Sequence, residues 1–275
     1  MIAILVLVAL GTAGLVLLRL RDARADRAEW ARLAGLQPKG RAVFSAEMVA
    51  DLPEPARRFF RFAIAEGARL RPVVELRMTG RMGLGTKENP GYQPIEAEEI
   101  LAAPEGFVWS VRTRGGMAVS GSDSGKWTRF WLLGLIPVAR VGGDADHTRS
   151  AFGRYVAEAV FWSPAAVLPR DGVTWAAVDA ETARVTVRHG DLEQAVDVSV
   201  DAEGRPVEVA FDRWTNANPE KAYRLQRFGG YMSDFREVEG YRLPHHVEAG
   251  NLFGTEGYFP FFIVDVVGVR FPGTG

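Results

Sequence analysis

From Arg71 to its C-terminus the chain alternates apolar and polar residues in one short run after another. Only one stretch breaks the rhythm. Val74, Leu76 and Met78 alternate with Glu75, Arg77 and Thr79, the pattern of a strand with one face buried. "YQPIEAEEILAA", "GFVWSVRTRG", "GMAVSGSD", "VTWAAVDA" and "ARVTVRHG" repeat the pattern, each closed by glycine, proline or a polar turn. Asp201 to Gly204 reads as the turn of a hairpin, and "GKWTRFWLLGLIPVARV" as a buried strand running into an extended loop. The expectation is about ten or eleven strands in one strongly curved antiparallel sheet, an open half-barrel rather than βαβ units. The fold class is mainly β with a few helices (α+β).

The break is "SAFGRYVAEAVFWSP", which predicts a helix over residues 148–162. Ser150 or Thr148 can cap it, and Pro164 ends it, because the residue before proline avoids the α region. Phe152, Tyr155, Val156, Ala159 and Val160 fall on one face, with Arg154 and Glu158 as i,i+4 neighbours beside it. Three readings stand. The helix is structural with a surface ion pair, or a lid over the mouth of the sheet, or the carrier of a catalytic Glu158.

Residues 2–18 are uncharged and mostly apolar, and as a helix they extend roughly 26 Å, enough to span a bilayer. No cation precedes this segment, and Ala23-Arg-Ala25 is a poor cleavage site among arginines, so an uncleaved single-pass anchor is expected. Arg19, Arg21, Arg24, Arg27 and Arg32 follow the span, which by the positive-inside rule places the bulk of the chain in the cytoplasm, the periplasmic side being the alternative. The domain plan is an anchor over residues 1–20, a juxtamembrane helix and linker over 21–44, and a β half-barrel over 45–275. At the start of the last, Pro53 and Pro55 suit a first helical turn, and Ala56, Phe59, Phe60, Ala63 and Ile64 make an apolar stripe. Arg57, Arg58 and Arg61 occupy the other face. With Arg19 and Arg21 they are the candidates for contact with anionic headgroups, if they do not simply face water.

A formal net charge of −1 gives no basic field for nucleic acid, and the absence of cysteine removes disulfides, thiolate metal sites and a thiol nucleophile. "GSDSGK" lacks the spacing of a phosphate loop, and Asp123 stands where a nucleophilic serine would. Asp144, Asp146 and His147 with His245 and His246 read as surface or hydrogen-bonded groups; no metal and no cofactor is expected. Glu96 and Glu98 share a strand face opposite Ile95, Ala97 and Glu99, and a solvated outer face accounts for the acids. Trp109, Trp127, Trp131, Trp162, Trp175 and Trp214 supply large apolar area for a core, or for an aromatic pocket.

"LPEPARRFFRFAIAEGA", "GRYVAEAVFWSPAAVLP", "WLLGLIPV" and "FGGYMSDFREVEGYRLPHHVEAGNLFGTEGYFPFF" together resemble an uncharacterised bacterial family of unknown function, over roughly residues 50–271. The meander with an interposed helix also resembles lipoprotein-carrier half-barrels of the LolA/LolB type, and "EVEGYRLPHHVEAG" is similar to their paired strands around a turn. That resemblance implies an apolar cavity for acyl chains under the helices, although those carriers lack a spanning anchor. The expected function is a membrane-anchored domain that binds an apolar or lipid-like ligand, with membrane lipids as partners. Trp109, Tyr155, Glu158, Trp162 and Trp214 are the cavity candidates. The alternatives are an interaction or scaffold module of the bacterial envelope, and an enzyme using Glu158. A binder leaves an apolar cavity unfilled and a scaffold packs solid.

Overall fold

The structure, a computed structural model, describes residues 1–116 and 118–273. Among these residues the strands form one curved, unclosed antiparallel sheet of 13 strands. Its first half is a meander of β1 (Val74–Gly83), β2 (Tyr92–Ala102), β3 (Gly106–Thr113), β4 (Val119–Ser124), β5 (Thr128–Leu132) and β6 (Ile136–Val141). Its second half runs through β7 (Val173–Ala177), β8 (Thr182–His189), β9 (Leu192–Val200) and β10 (Pro206–Thr215). It finishes with β11 (Arg224–Val238), β12 (Tyr241–Asn251) and β13 (Phe259–Arg270). The two meanders join where β1 pairs with β13, which leaves β6 and β7 as the outer edges.

Helix α3 (Ala145–Trp162) connects those two edges by crossing the concave face. At about 1.5 Å per residue its length of roughly 27 Å bridges the trough that the curvature opens. The expected helix over 148–162 is there, one turn longer at its start. Asp144, not Ser150 or Thr148, caps it by accepting from the His147 amide at 2.7 Å. It ends at Trp162, ahead of Pro164 as expected. Phe152, Tyr155, Val156, Ala159 and Val160 are all buried, and so are Ala151, Gly153, Ala157, Phe161 and Trp162 behind them. The helix is therefore enclosed on nearly every side rather than half-exposed. A Cβ on Gly153 would fall 2.6 Å from Gln194 Oε1 on β9, so the helix lies close to the sheet there and a larger residue would displace the Gln194 side chain.

The strand count exceeds the expected ten or eleven in part because "GKWTRFWLLGLIPVARV" holds a tight turn and two strands, where one strand and an extended loop are expected. "WLLGLIPV" is the β5–β6 hairpin, turning at Leu133 and Gly134 with φ of 52° and 70°. Glu239 and Gly240, with φ of 51° and 86°, likewise separate β11 from β12. Leucine and glutamate rarely adopt left-handed backbone, so neither turn carries the usual Asn-Gly signature. The hairpin expected at Asp201 to Gly204 forms between β9 and β10.

The helix expected near Pro53 is α2 (Glu54–Ala63), preceded by a short 3-10 turn at Ala46–Val49. Its stripe of Ala56, Phe59, Phe60 and Ala63 is buried against the second half of the sheet. Helix α1 (Ile2–Ala34) is continuous and is the one described helix long and apolar enough to cross a membrane. Its last turns pack on the convex face, where Leu33 joins Val73, Ile100, Ala102 and Val108 in a second core.

Candidate functional site

The register of the first meander lines up two acids on either side of a tryptophan across the concave face. Glu99 on β2 lies opposite Trp109 on β3, which lies opposite Asp123 on β4. Arg154 of α3 sits over this row. Its Nη1 donates to Asp123 Oδ2 at 2.7 Å and its Nε to Glu158 Oε1 at 2.9 Å, while Nη2 lies 3.9 Å from Glu99 Oε1. The guanidinium also covers the rings of Phe107 and Trp109, 4.8 and 5.1 Å from their centroids. The expected surface ion pair between Arg154 and Glu158 is thus a correction: the pair is turned into the protein, and three carboxyl groups converge on one arginine.

Burial, then the neighbouring Glu158 charge, pushes the Glu99 carboxyl well above its ordinary value. Glu99 is fully buried and neither of its oxygens has a hydrogen-bond partner, so its surroundings favour the neutral acid over the carboxylate. Burial works against the charge of Arg154, but the carboxylates of Glu158 and Asp123 outweigh it and hold the guanidinium ionised.

Beside this cluster lies a cavity of about 280 Å³ between α3 and the concave sheet. Its walls are mainly apolar and aromatic: Phe161 and Trp162 from α3, Phe211 from β10, Phe228 from β11 and Phe262 from β13. Arg154, Glu158 and Arg213 are the charged groups in the wall. Arg213 stacks on Phe228 at 5.3 Å, and its pKa is lowered by burial and by the charge of Arg154. Three buried polar atoms at the wall have no hydrogen-bond partner: Arg213 Nε, Trp109 Nε1 and Glu158 Oε2. Orphaned polar atoms cost free energy in a closed core and are expected where a polar group of a ligand can meet them.

Of the residues expected around a cavity, Trp109, Glu158 and Trp162 line this one. Tyr155 lies elsewhere on α3, against Phe107 and Phe152, with its hydroxyl donating to the Pro104 carbonyl. Trp214 lies near the start of α3, where its indole donates to Asp146 and stacks on Tyr223. Glu99, Asp123 and Arg213 were not singled out by the sequence as cavity groups. The signal for Glu99 and Arg213 was present in the alternation, since they follow Ile95 and Ala97, and Val209 and Phe211, on the inward side.

The basic candidates separate into two groups. Arg19 donates to Ser120 Oγ and covers Trp131, and Arg21 is exposed on α1. Arg58 donates to the carbonyls of Asp201 and Ala180, in the turns at the other end of the sheet, and Arg57 reaches the Ala50 carbonyl. Arg61 is exposed on α2. Asp144, Asp146 and His147 are engaged as a cap, an indole acceptor and a partner of Thr128, while His246 faces Asp265.

The family model for DUF6544, a family of unknown function, matches residues 42–263. The chain belongs to DUF6544. The matched span of this DUF6544 protein covers α2, α3 and the sheet as far as the start of β13, and α1 precedes it. Curated proteins supply no match. Among solved structures, the DUF6544 chain is similar to a LolA superfamily protein from Nitrosomonas europaea, with a TM-score of 0.41 and 10% identity over 83% of this chain and 94% of that one. A putative outer membrane lipoprotein-sorting protein domain from Vibrio parahaemolyticus gives 0.38 and 10%, over 83% and 92%. A DUF1329 family protein from Desulfovibrio piger gives 0.39 and 11%, over 80% and 92%.

Proposed function

We propose that this DUF6544 protein is a membrane-anchored domain that holds one slender apolar or lipid-like molecule between α3 and the concave sheet. The observation that carries the reading is the unfilled apolar cavity of about 280 Å³, where a scaffold would pack solid. Its volume lies at the small end of ligand sites, which run from roughly 300 to 1,000 Å³, and suits a single chain. Trp109 Nε1 and Arg213 Nε are both donors, so the polar end of the ligand is an acceptor such as a carboxylate or an ester carbonyl. Helix α3 is the cover, held to the sheet by Arg154.

Native mass spectrometry of the full chain released from nanodiscs, with extraction of what is bound, tests this. A recurrent lipid at one per chain supports the reading. A chain that is empty and also ignores added fatty acids and phospholipids sinks it and favours an interaction module. The arginines after the apolar segment support a cytoplasmic domain in this reading, the periplasmic side being the alternative, and a C-terminal reporter active only in the periplasm would reverse it.

One observation favours a second reading, an enzyme working through Glu158. Its Oε2 has no hydrogen-bond partner at the cavity wall, and burial with the Glu158 charge raises the pKa of nearby Glu99, a pairing of unlike carboxyls that acid–base chemistry can use. Turnover of an acyl ester by the full chain that vanishes in Glu158→Gln, with folding intact, would establish it. No turnover across a panel of acyl esters would leave the holding function.

A further inference from the structure

The two halves of α1 have different surroundings. From Asp22 onward the helix is fixed to the convex face by a stripe at i, i+4, i+7 and i+11. Asp22 accepts from Arg140 at 2.9 Å, Asp26 from Ser122 at 2.8 Å and Glu29 from Lys126 at 2.7 Å, and Leu33 is buried. Before Arg19 the apolar segment buries nothing against the domain. The contacts follow β4 in order: Glu29 lies by Lys126 just past one end, Asp26 by Ser122 in the middle and Arg19 by Ser120 near the other end. The helix therefore leaves the domain where the β3–β4 and β5–β6 turns lie, and residues 2–18 project roughly 26 Å beyond them.

Antiparallel pairing brings further turns to that same end. Met82 pairs with Gln93 and Phe262, Asn251 with Phe259 and Phe228, and Thr215 with Arg224. The β1–β2, β12–β13 and β10–β11 turns thus share one rim with β5–β6. Each of the four has an exposed leucine in it or beside it: Leu84 at 63%, Leu133 at 68%, Leu252 at 45% and Leu225 at 54%. Single exposed leucines are ordinary on a soluble surface, but four of them along one rim, from which an apolar helix also projects, mark a contact with something apolar. The half-buried residues of the cavity wall, Met82, Phe228, Phe261 and Phe262, lie close to the same turns, so the cavity opens at this rim.

We infer that this rim rests in the headgroup layer of the bilayer that α1 spans, with the mouth of the cavity facing that membrane. The inference rests on residues 2–18 being a span and deepens the ligand-holding reading: the occupant exchanges with the anchoring bilayer without crossing water. Arg19 and Arg21 lie at the level of the rim, where their charges meet the headgroups. α2 lies at the far end, near the turns that Arg58 binds, so its arginines face away from this surface.

The chain has no cysteine, so single-cysteine variants report one position each. Leu84→Cys, Leu133→Cys and Leu252→Cys probe the rim, Val8→Cys the span and Ala202→Cys the far end. Each full-length variant, carrying an environment-sensitive fluorophore, is reconstituted in phosphatidylethanolamine–phosphatidylglycerol vesicles containing acyl-brominated lipid. The rim labels should be quenched several-fold more than Ala202 and approach Val8. Quenching at Val8 with rim labels no different from Ala202 overturns the docking and leaves the span intact. An unquenched Val8 overturns the span and the docking with it. Quenched rim labels on a chain that carries no lipid would support the docking and overturn only the cargo.

Discussion

Arg154 on α3 donates to Asp123 on β4 over 2.7 Å, and this ion pair ties the crossing helix to the first meander from inside the protein. The same guanidinium binds Glu158 one turn along its own helix and faces Glu99 on β2. Replacing it by Arg154→Met strands the carboxyls without a cation. The expected loss of stability is about 3–5 kcal/mol, the range for breaking a buried pair from one side. Urea unfolding of the full chain, followed by tryptophan fluorescence, measures it; a change below about 1 kcal/mol would mean that water already solvates the cluster.

Glu99→Gln should behave differently, because burial favours the neutral acid and glutamine keeps its shape. The raised folded pKa also fixes a sign. Above the ordinary glutamate value of 4.5, and up to the folded value, the folded state holds a proton that the unfolded chain has lost. Stability therefore falls as pH rises through that window, by up to about 1.4 kcal/mol per pH unit for one proton. The variant lacks this proton, so the stability of wild type minus variant should decline with pH from about 4.5 upward. A difference that is flat in pH would show that Glu99 is ionised in the fold.

Asp22→Asn tests the docking of α1. Burial opposes the Asp22 charge, but the hydrogen bond from Arg140 and the charges of Arg129 and Arg140 outweigh it, leaving its pKa below the ordinary value. Its contribution is present above the ordinary value and is lost as pH falls through the lowered one. The substitution should cost about 1–3 kcal/mol. Amide exchange should rise over residues 22–34 before it rises in β11 and β12. Unchanged exchange in α1 would assign the docking to buried Leu33 and to Trp30, whose indole donates to Glu75 on β1 at 2.9 Å.

Ala157→Leu adds apolar volume to a wall that borders empty space. Stability should change by no more than about 1 kcal/mol, since the added carbons have room. Bound lipid recovered per chain should fall several-fold. Equal recovery from wild type and variant would mean that the lipid lies elsewhere, on the rim or along α1.

The alternation from Arg71 onward was sufficient to foresee one antiparallel sheet, because each strand records its own burial at every second residue. The apolar face of residues 152–160 and Pro164 likewise foretold α3 and its end, and Glu99 could be placed opposite Glu96 and Glu98 by counting. These are local properties, set by period and by the φ of proline. Tertiary structure decided the rest. Glu99, Asp123 and Arg154 meet because strand register and the crossing of α3 superimpose segments far apart in the chain, and no spacing encodes that. The stripe of Asp22, Asp26 and Glu29 reads as an ordinary charged helix until basic residues of β5, β6 and the β4–β5 turn are brought against it. Leu133 and Glu239 turn the chain in left-handed backbone that their side chains disfavour, at a cost of about 1–3 kcal/mol each that the flanking strand pairing offsets. A residue's preferences are written in its own neighbourhood, whereas a site belongs to residues whose only relation is the fold that collects them.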